Sequence, residues 1–191
     1  MLFDRAGQRK YLTKSEWIAF RNAAASFEPE VHTFCEVMAH SGARISEVRA
    51  LTPAKVDIAN DSLIFECLKR RRKGVFRAVP VPHEIVDMLD RVHDVVGAKG
   101  DHTRENQRIW PWCRTTAWTR VKEVCAVAGV PPAVAMPKAF RHSFGVEGTA
   151  QAGVPIGTMK RWLGHSRIES TLVYVEALGR EERILAERMW K

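Results

Sequence analysis

The stretch Lys138-Ala139-Phe140-Arg141-His142-Ser143-Phe144, followed by Leu163-Gly164-His165-Ser166 and by Tyr174 nine residues beyond His165, decides how this chain reads. Far upstream, Ser41-Gly42-Ala43-Arg44-Ile45-Ser46-Glu47 adds a second arginine. The set comprises a phenol able to attack phosphorus, two guanidinium forks able to hold phosphate oxygens, and nitrogen donors to assist. It suits opening a phosphodiester through a covalent phosphotyrosine without a metal or cofactor.

The chemistry explains the residue types. Attack on a phosphodiester gathers negative charge on the nonbridging oxygens, and arginine matches two such oxygens with a planar, permanently charged fork. Arg44 follows small residues that would let a nucleic-acid backbone approach. Lys138 lies three residues before Arg141, so a helix would place both on one face, within reach of one phosphate. The departing 5′ oxygen needs a proton, for which Lys69 and Lys73 are candidates. His165 is a candidate donor to a nonbridging oxygen. Tyr174 is the candidate nucleophile, and neighbouring cations are expected to lower its pKa from the usual value of about 10. Each residue also has a plainer reading. Arg44 could pair with Glu47, Arg141 could be a surface cation, His165 could end a helix, and Tyr174 could be packed core.

A chain of 191 residues, 46% apolar and 27% charged, suits one domain with a sizeable core and argues against disorder. No apolar run approaches a membrane span of about 18 residues, and the N-terminus lacks a signal-peptide core. The expectation is a cytoplasmic, nucleoid-associated protein with no membrane partner. Cys35, Cys67, Cys113 and Cys125 form no C-x-x-C pair and lack zinc-finger histidine spacing, so they read as reduced, mostly core residues. The net charge is +8; without Lys69, Arg70, Arg71, Arg72, Lys73 and Arg77 it falls to +2. Positive charge concentrated in one short segment is the mark of a polyanion-binding surface, so Arg70–Lys73 and Arg77 are read as DNA contacts.

The periodicity is mostly helical. Thr13 and Glu16 form a capping box opening a helix over 16–25. A buried helix spans Glu30–His40, Gly42 interrupts, and a short helix runs from Ile45 to Leu51. Strands are expected over Val56–Asp61 and Leu63–Leu68. A hairpin pairs 63–72 with 75–81 around a basic tip. Helices follow from Pro82 to Val96, Thr115 to Ala128, after Pro137, over Ile156–Leu163, over Glu169–Ala177 and over Arg180–Trp190. Residues 97–107 read as a surface loop. The fold class is mainly α with a small antiparallel β-sheet (α+β).

These motifs resemble the tyrosine recombinase (phage integrase) family. The box from Ser41 to Leu51 is similar to its first-arginine motif, and Phe140–Phe144 to its second. Trp162-Leu163-Gly164-His165-Ser166 with Ser170-Thr171-Leu172-Val173-Tyr174 is similar to its third box and nucleophile. The resemblance implies the catalytic-domain fold of DNA breaking-rejoining enzymes, with a leader over 1–11, a catalytic domain over 12–178 and a C-terminal helix over 179–191 that could dock on a neighbouring protomer. It implies that Arg44 and Arg141 bind the scissile phosphate and that His165 hydrogen-bonds it. Tyr174 would form a 3′-phosphotyrosyl link, and a hairpin lysine, Lys69 or its rival Lys73, would protonate the 5′ oxygen. Glu47 and His142 would play supporting parts. Lys138 stands where the family usually has histidine; it can donate to phosphate, but a role as base is in doubt. The implied partners are double-stranded DNA and further copies of the chain, as dimer or tetramer on DNA. The implied origin is bacterial, phage or plasmid.

The reading is therefore a site-specific recombinase or integrase. Two alternatives stand beside it: a DNA-binding or regulatory module without catalysis, and a type IB topoisomerase-like enzyme.

Overall fold

The computed structural model describes residues 2–67 and 74–175, together with 186, 187, 189 and 190. The basic hairpin tip, with Lys69, Arg70, Arg71, Arg72 and Lys73, lies outside the described residues. So does most of the expected C-terminal helix.

Helix α1 (Lys14–Ala24) starts where the sequence predicts. The Thr13 side chain accepts from the Glu16 backbone N–H, and the Glu16 carboxylate takes the Thr13 N–H at 2.8 Å. Helix α2 (Pro29–Ser41) is the central rod. Val31, Phe34, Cys35, Val37, Met38 and Ala39 are all buried along it, each large side chain contributing roughly 1.5–3 kcal/mol on leaving water. A rod buried on most sides also carries Glu36 inward, where Arg21 meets its carboxylate at 2.9 Å. Gly42 ends the helix at φ +59°, and the chain turns into the short α3 (Ile45–Val48).

A three-stranded antiparallel sheet follows in the order β1 (Val56–Asp57), β2 (Ser62–Glu66), β3 (Phe76–Pro80). The first strand stops earlier than the sequence predicts. The Asp57 carboxylate accepts from the Asn60 backbone and side chain and closes a turn. In β3, Arg77 and Val79 are buried while Phe76, Ala78 and Pro80 face outward. Leu63 pairs with Val79 and Phe65 with Arg77. The period of two thus turns Arg77 inward with Val79.

The helix expected over 82–96 breaks in two. Asp94, at φ 52°, separates α4 (His83–His93) from α5 (Val95–Lys99), and its carboxylate accepts from Arg104 at 2.8 Å. That contact pins the expected loop, which includes a 3₁₀ turn at Arg104–Asn106. Helix α6 (Arg114–Val127) is capped by Cys113, the one exposed cysteine; Cys35, Cys67 and Cys125 are buried. Helix α7 (Pro137–Val146) packs on α2 and passes directly into a π-helical turn at Glu147–Gln151 that the sequence did not disclose. Helix α8 (Ile156–Leu163) ends at Gly164. Helix α9 (Glu169–Leu172) is shorter than predicted and leads through a turn to Tyr174.

One core, spanning α1, α2, α4, α6, α7 and the sheet, holds Phe20, Phe34, Trp110 and Phe140. A second, smaller cluster unites Leu2, Val146, Met159, Leu163 and Tyr174. The leader therefore belongs to the packed body. Phe3 bridges Arg9, and the Leu12 N–H donates to Ser143 Oγ of α7 at 2.7 Å.

Gly42 is a tight junction between α2 and α3, pressed against α7. A Cβ there would lie 2.5 Å from Phe144 Cδ1, in a conformation that already disfavours other residues. Gly42→Ala is expected to lower stability by about 1–3 kcal/mol. In urea unfolding this would be a reduced midpoint with an unchanged slope.

Candidate active site

The site forms where α3, β3, α7, α8 and α9 meet, and its foundation is Glu47. The Glu47 side chain is fully buried. It accepts from the Arg44 backbone N–H at 2.9 Å and from Arg44 Nη1 at 2.8 Å. Its other charged partner is Arg77, whose Nη2 donates at 2.7 Å. Burial alone would raise the Glu47 pKa, but Arg77, and then Arg44, outweigh it and hold the carboxyl below its usual range.

Arg77, read from the sequence as a DNA contact, is corrected by this geometry. It is 5% exposed. Its Nε donates to the Trp162 carbonyl at 2.6 Å, and its guanidinium lies 5.3 Å from the Phe65 ring centroid. The signal was present in the alternation Arg77, Val79, Val81, which places the arginine on the apolar face. Its Cδ would lie 3.0 Å from a Cβ at Gly164, so a small residue is needed just before His165.

Arg141 comes from α7 and is 6% exposed. Nη1 donates to the Gly42 carbonyl at 3.0 Å and Nη2 to the Leu163 carbonyl. The helix ends carrying the first and third motifs are thereby tied to the second. Burial and the like charge of Arg44 bring the Arg141 pKa down to about 10, which leaves it a full cation at neutral pH. Arg44 keeps Nη2 and Nε without a hydrogen bond among the described residues. Two guanidinium groups thus pair with one carboxylate while a third, that of Arg141, lies nearby without one, and a net positive charge is held in a largely buried site.

His165 follows Gly164. Burial, then Arg141, Arg44 and Arg77, push its pKa down to about 4, so the ring is neutral. Nδ1 is hydrogen-bonded to Thr171 Oγ1 at 2.9 Å. Thr171 is wholly buried on α9. Sequence reasoning passed over it as part of the approach to the tyrosine.

Tyr174 is 2% exposed. Its ring stacks on His165 at 6.1 Å between centroids and packs against Gly145, where a Cβ would fall 2.7 Å from Cδ2. The π-helical turn brings Thr149 Oγ1 to the Tyr174 carbonyl at 3.2 Å. The hydroxyl lies among polar groups, 3.3 Å from His142 Nδ1. The sequence led us to expect a lowered phenol pKa. The opposite holds: burial raises it, and Arg141 and Arg44 only partly offset the rise.

Lys138 does not share the position of Arg141. It is exposed and lines a separate cleft of about 250 Å³ with Asp4, Arg9, Lys10 and His142. A second cleft of about 280 Å³ runs between β3 and α8, past His165, Lys160 and Arg161. Among the described residues, no group of three or more histidine, cysteine or acidic side chains could hold a metal ion. No helix there is long and apolar enough to cross a membrane.

The sequence profile of the phage integrase family matches residues 10–180. The chain belongs to the phage integrase family. Among curated members, this integrase-family chain is 26% identical over 145 residues to the tyrosine recombinase XerD of Yersinia pestis, covering 73% of this chain and 47% of that protein. It spans about half the length of that relative. XerA recombinase superposes with a TM-score of 0.76 at 20% identity, over 94% of this chain and 64% of the other. The catalytic domain of bacteriophage HP1 integrase superposes at 0.64 with 21% identity, over 87% of this chain and 86% of that domain. These superpositions establish the fold: a mostly helical domain with one small antiparallel sheet.

The Glu47 cluster makes a stability prediction. Glu47→Gln removes one partner of a buried ion pair and should cost about 3–5 kcal/mol. Because the folded pKa lies below the unfolded one, the carboxylate stabilises the fold above the usual pKa of 4.5, and this is lost as pH falls through the folded value. Urea titrations between pH 7 and pH 3 should therefore show a loss in the unaltered protein that is reduced in the variant.

Proposed function

We propose that this integrase-family protein is a site-specific DNA recombinase that breaks and rejoins strands through a 3′-phosphotyrosyl intermediate. The observation that carries the reading is the buried surplus of cations around a phenol. Arg44 and Arg77 share a single carboxylate, Glu47, Arg141 beside them has none, and the Tyr174 hydroxyl lies within the field of Arg141 and Arg44. A phosphodiester in the transition state supplies the missing negative charge, in a setting where preorganised donors act at little reorganisation cost.

In this reading the Tyr174 oxygen attacks phosphorus and the 5′ oxygen departs. The unpaired end of the Arg44 fork and the remaining donors of Arg141 hold the nonbridging oxygens. His165, with Nδ1 fixed by Thr171, offers Nε2 to the same phosphate. Glu47 and Arg77 keep the cluster in place without touching DNA. The 5′ oxygen takes its proton from a hairpin lysine, Lys69 or Lys73, and Arg70–Arg72 grip the backbone; these residues are assigned from the sequence alone. Since Tyr174 is only 2% exposed, a phosphodiester reaches it after the packing around the leader or α9 yields.

The partners we propose are double-stranded DNA and further copies of the chain. Relatives of the same fold support this, among them XerH, solved bound to its difH substrate, and the Tn1549 transposon integrase, solved with transposon right-end DNA. Phosphate contacts made by many cations would make binding steeply salt-dependent.

The test is covalent capture. A pool of nicked duplexes with randomised sequence should yield a protein–DNA adduct stable to denaturant, formed equally well in EDTA. Tyr174→Phe should abolish the adduct while leaving DNA binding within about twofold. An adduct that persists in the Phe variant removes Tyr174 as nucleophile. Strand relaxation of any plasmid without a preferred site would favour a topoisomerase.

A further inference from the structure

His142 was singled out in the sequence for its place beside Arg141, and the chemistry above leaves it unused. Its ring lies between the nucleophile and the cationic cleft at the leader. Nδ1 is 3.3 Å from Tyr174 Oη, the one hydrogen bond of that hydroxyl among the described residues. The ring centroids are 5.8 Å apart. Nε2 is buried and has no hydrogen-bond partner among the described residues, an arrangement that is unfavourable when left unmet. His142 also lines the cleft of about 250 Å³ with Asp4, Arg9, Lys10 and Lys138.

From this geometry we infer that His142 is a catalytic residue of the proposed cleavage: it takes the Tyr174 proton through Nδ1, while a DNA backbone phosphate in the Lys10–Lys138 cleft accepts from Nε2–H.

The other groups near Oη cannot take this part. His165 stacks on the face of the ring, and its Nδ1 is bonded to Thr171. Arg141 and Arg44 are cations with no lone pair to offer. Lys138 is likewise a donor when charged. Among the described residues, the charged and titratable groups around His142 are Lys138 and Arg141 on α7, Lys10, Arg9 and Asp4 on the leader, His165 after α8, and Tyr174. Arg9 is bound to Glu16, which leaves Lys10 and Lys138 as the cleft's unpaired cations among the described residues. Burial, then Lys138 and Arg141, push the His142 pKa down to about 4. The ring is therefore neutral and able to accept at physiological pH.

The step balances as follows. The Oη–H bond breaks and its proton passes to Nδ1. The Oη electron pair forms the bond to phosphorus, the P–O5′ bond breaks, and the 5′ oxygen takes a proton from the hairpin lysine or water. A phenol is far less acidic than an imidazolium whose pKa is near 4, so proton transfer and Oη–P bond formation must advance together. Phosphate negative charge near Nε2 raises the ring's proton affinity in the same movement. Religation reverses each transfer, and His142 returns the proton to the departing phenolate.

This inference rests on the proposed phosphotyrosyl chemistry, and its test separates the two. The probe is the duplex recovered from the adduct of the unaltered protein. It is made once with an ordinary phosphodiester and once with a bridging 5′-sulfur leaving group that needs no proton. His142→Asn keeps an acceptor near the Nδ1 position but cannot take a proton. Its single-turnover adduct formation at saturating duplex should fall about 100-fold or more on both duplexes, far beyond any loss of duplex affinity from the missing phosphate contact, with thermal unfolding unchanged. His142→Ala should regain rate with added imidazole, which also decides the matter if the Asn variant does not fold. Adduct formation within about threefold of the unaltered protein overturns the inference. So does rescue by the sulfur leaving group, or failure of imidazole to restore the Ala variant. No adduct from the unaltered protein on any duplex would overturn the strand-breaking reading itself, and this inference with it.

Discussion

A single buried carboxylate sets the terms for the rest of this protein. Glu47 closes the first turn of α3 by accepting the Arg44 N–H, and it holds Arg44 and Arg77 through its two oxygens. Arg77 in turn binds the carbonyl of Trp162 in α8. One side chain therefore ties the sheet to helices at both ends of the chain. Removing such charges from water is expensive, and only dense, reciprocal hydrogen bonding offsets the cost. That requirement explains why β3 carries an arginine on its inner face and why a residue without a side chain precedes His165.

Around this anchor the charge does not balance. Arg141 reaches two backbone carbonyls and no carboxylate, and it lies near Arg44 and Arg77. Carbonyl dipoles partly solvate a cation but cannot neutralise it. Burial, reinforced by this surplus, keeps His142 and His165 neutral, both with pKa values pushed down to about 4. It fails to lower the pKa of Tyr174 because burial dominates there. Cleavage chemistry on this scaffold would thus begin from an un-ionised phenol, with a neutral imidazole as its hydrogen-bond partner.

The small cluster that covers Tyr174 draws on Leu2, near the start of the chain, and on Val146, Met159 and Leu163. The π-helical turn after α7 adds Thr149, which fixes the tyrosine carbonyl. Inserting an extra residue into a helical turn is a local cost that recurs at functional positions. Here it points a hydroxyl at the segment bearing the phenol. The leader closes the same cluster on one side and builds the Lys10–Lys138 cleft on the other. A segment that reads as a mere lead-in to the first helix helps define the surroundings of the Tyr174 phenol.

What the sequence determined on its own is what depends on neighbours in the chain. The Thr13–Glu16 capping box, the stop at Gly42, the limits of α8 and the helical character of α2 all follow from local hydrogen bonding and from a period near 3.6. The motif residues Arg44, Arg141, His165 and Tyr174 stood out because their chemistry and order are specific, and the fold brings them to one place. The short β1 and the break at Asp94 were not, because turns made by aspartate side chains overrode apolar pattern. The inward turn of Arg77 was written in the strand alternation but hidden by the basic run before it. Only the tertiary structure decided that Tyr174 is buried, that Lys138 faces the leader while Arg141 faces the cluster, and that His142 meets the phenol. Those outcomes depend on desolvation and on charges brought together from distant segments, and neither is a property of any stretch of sequence read alone.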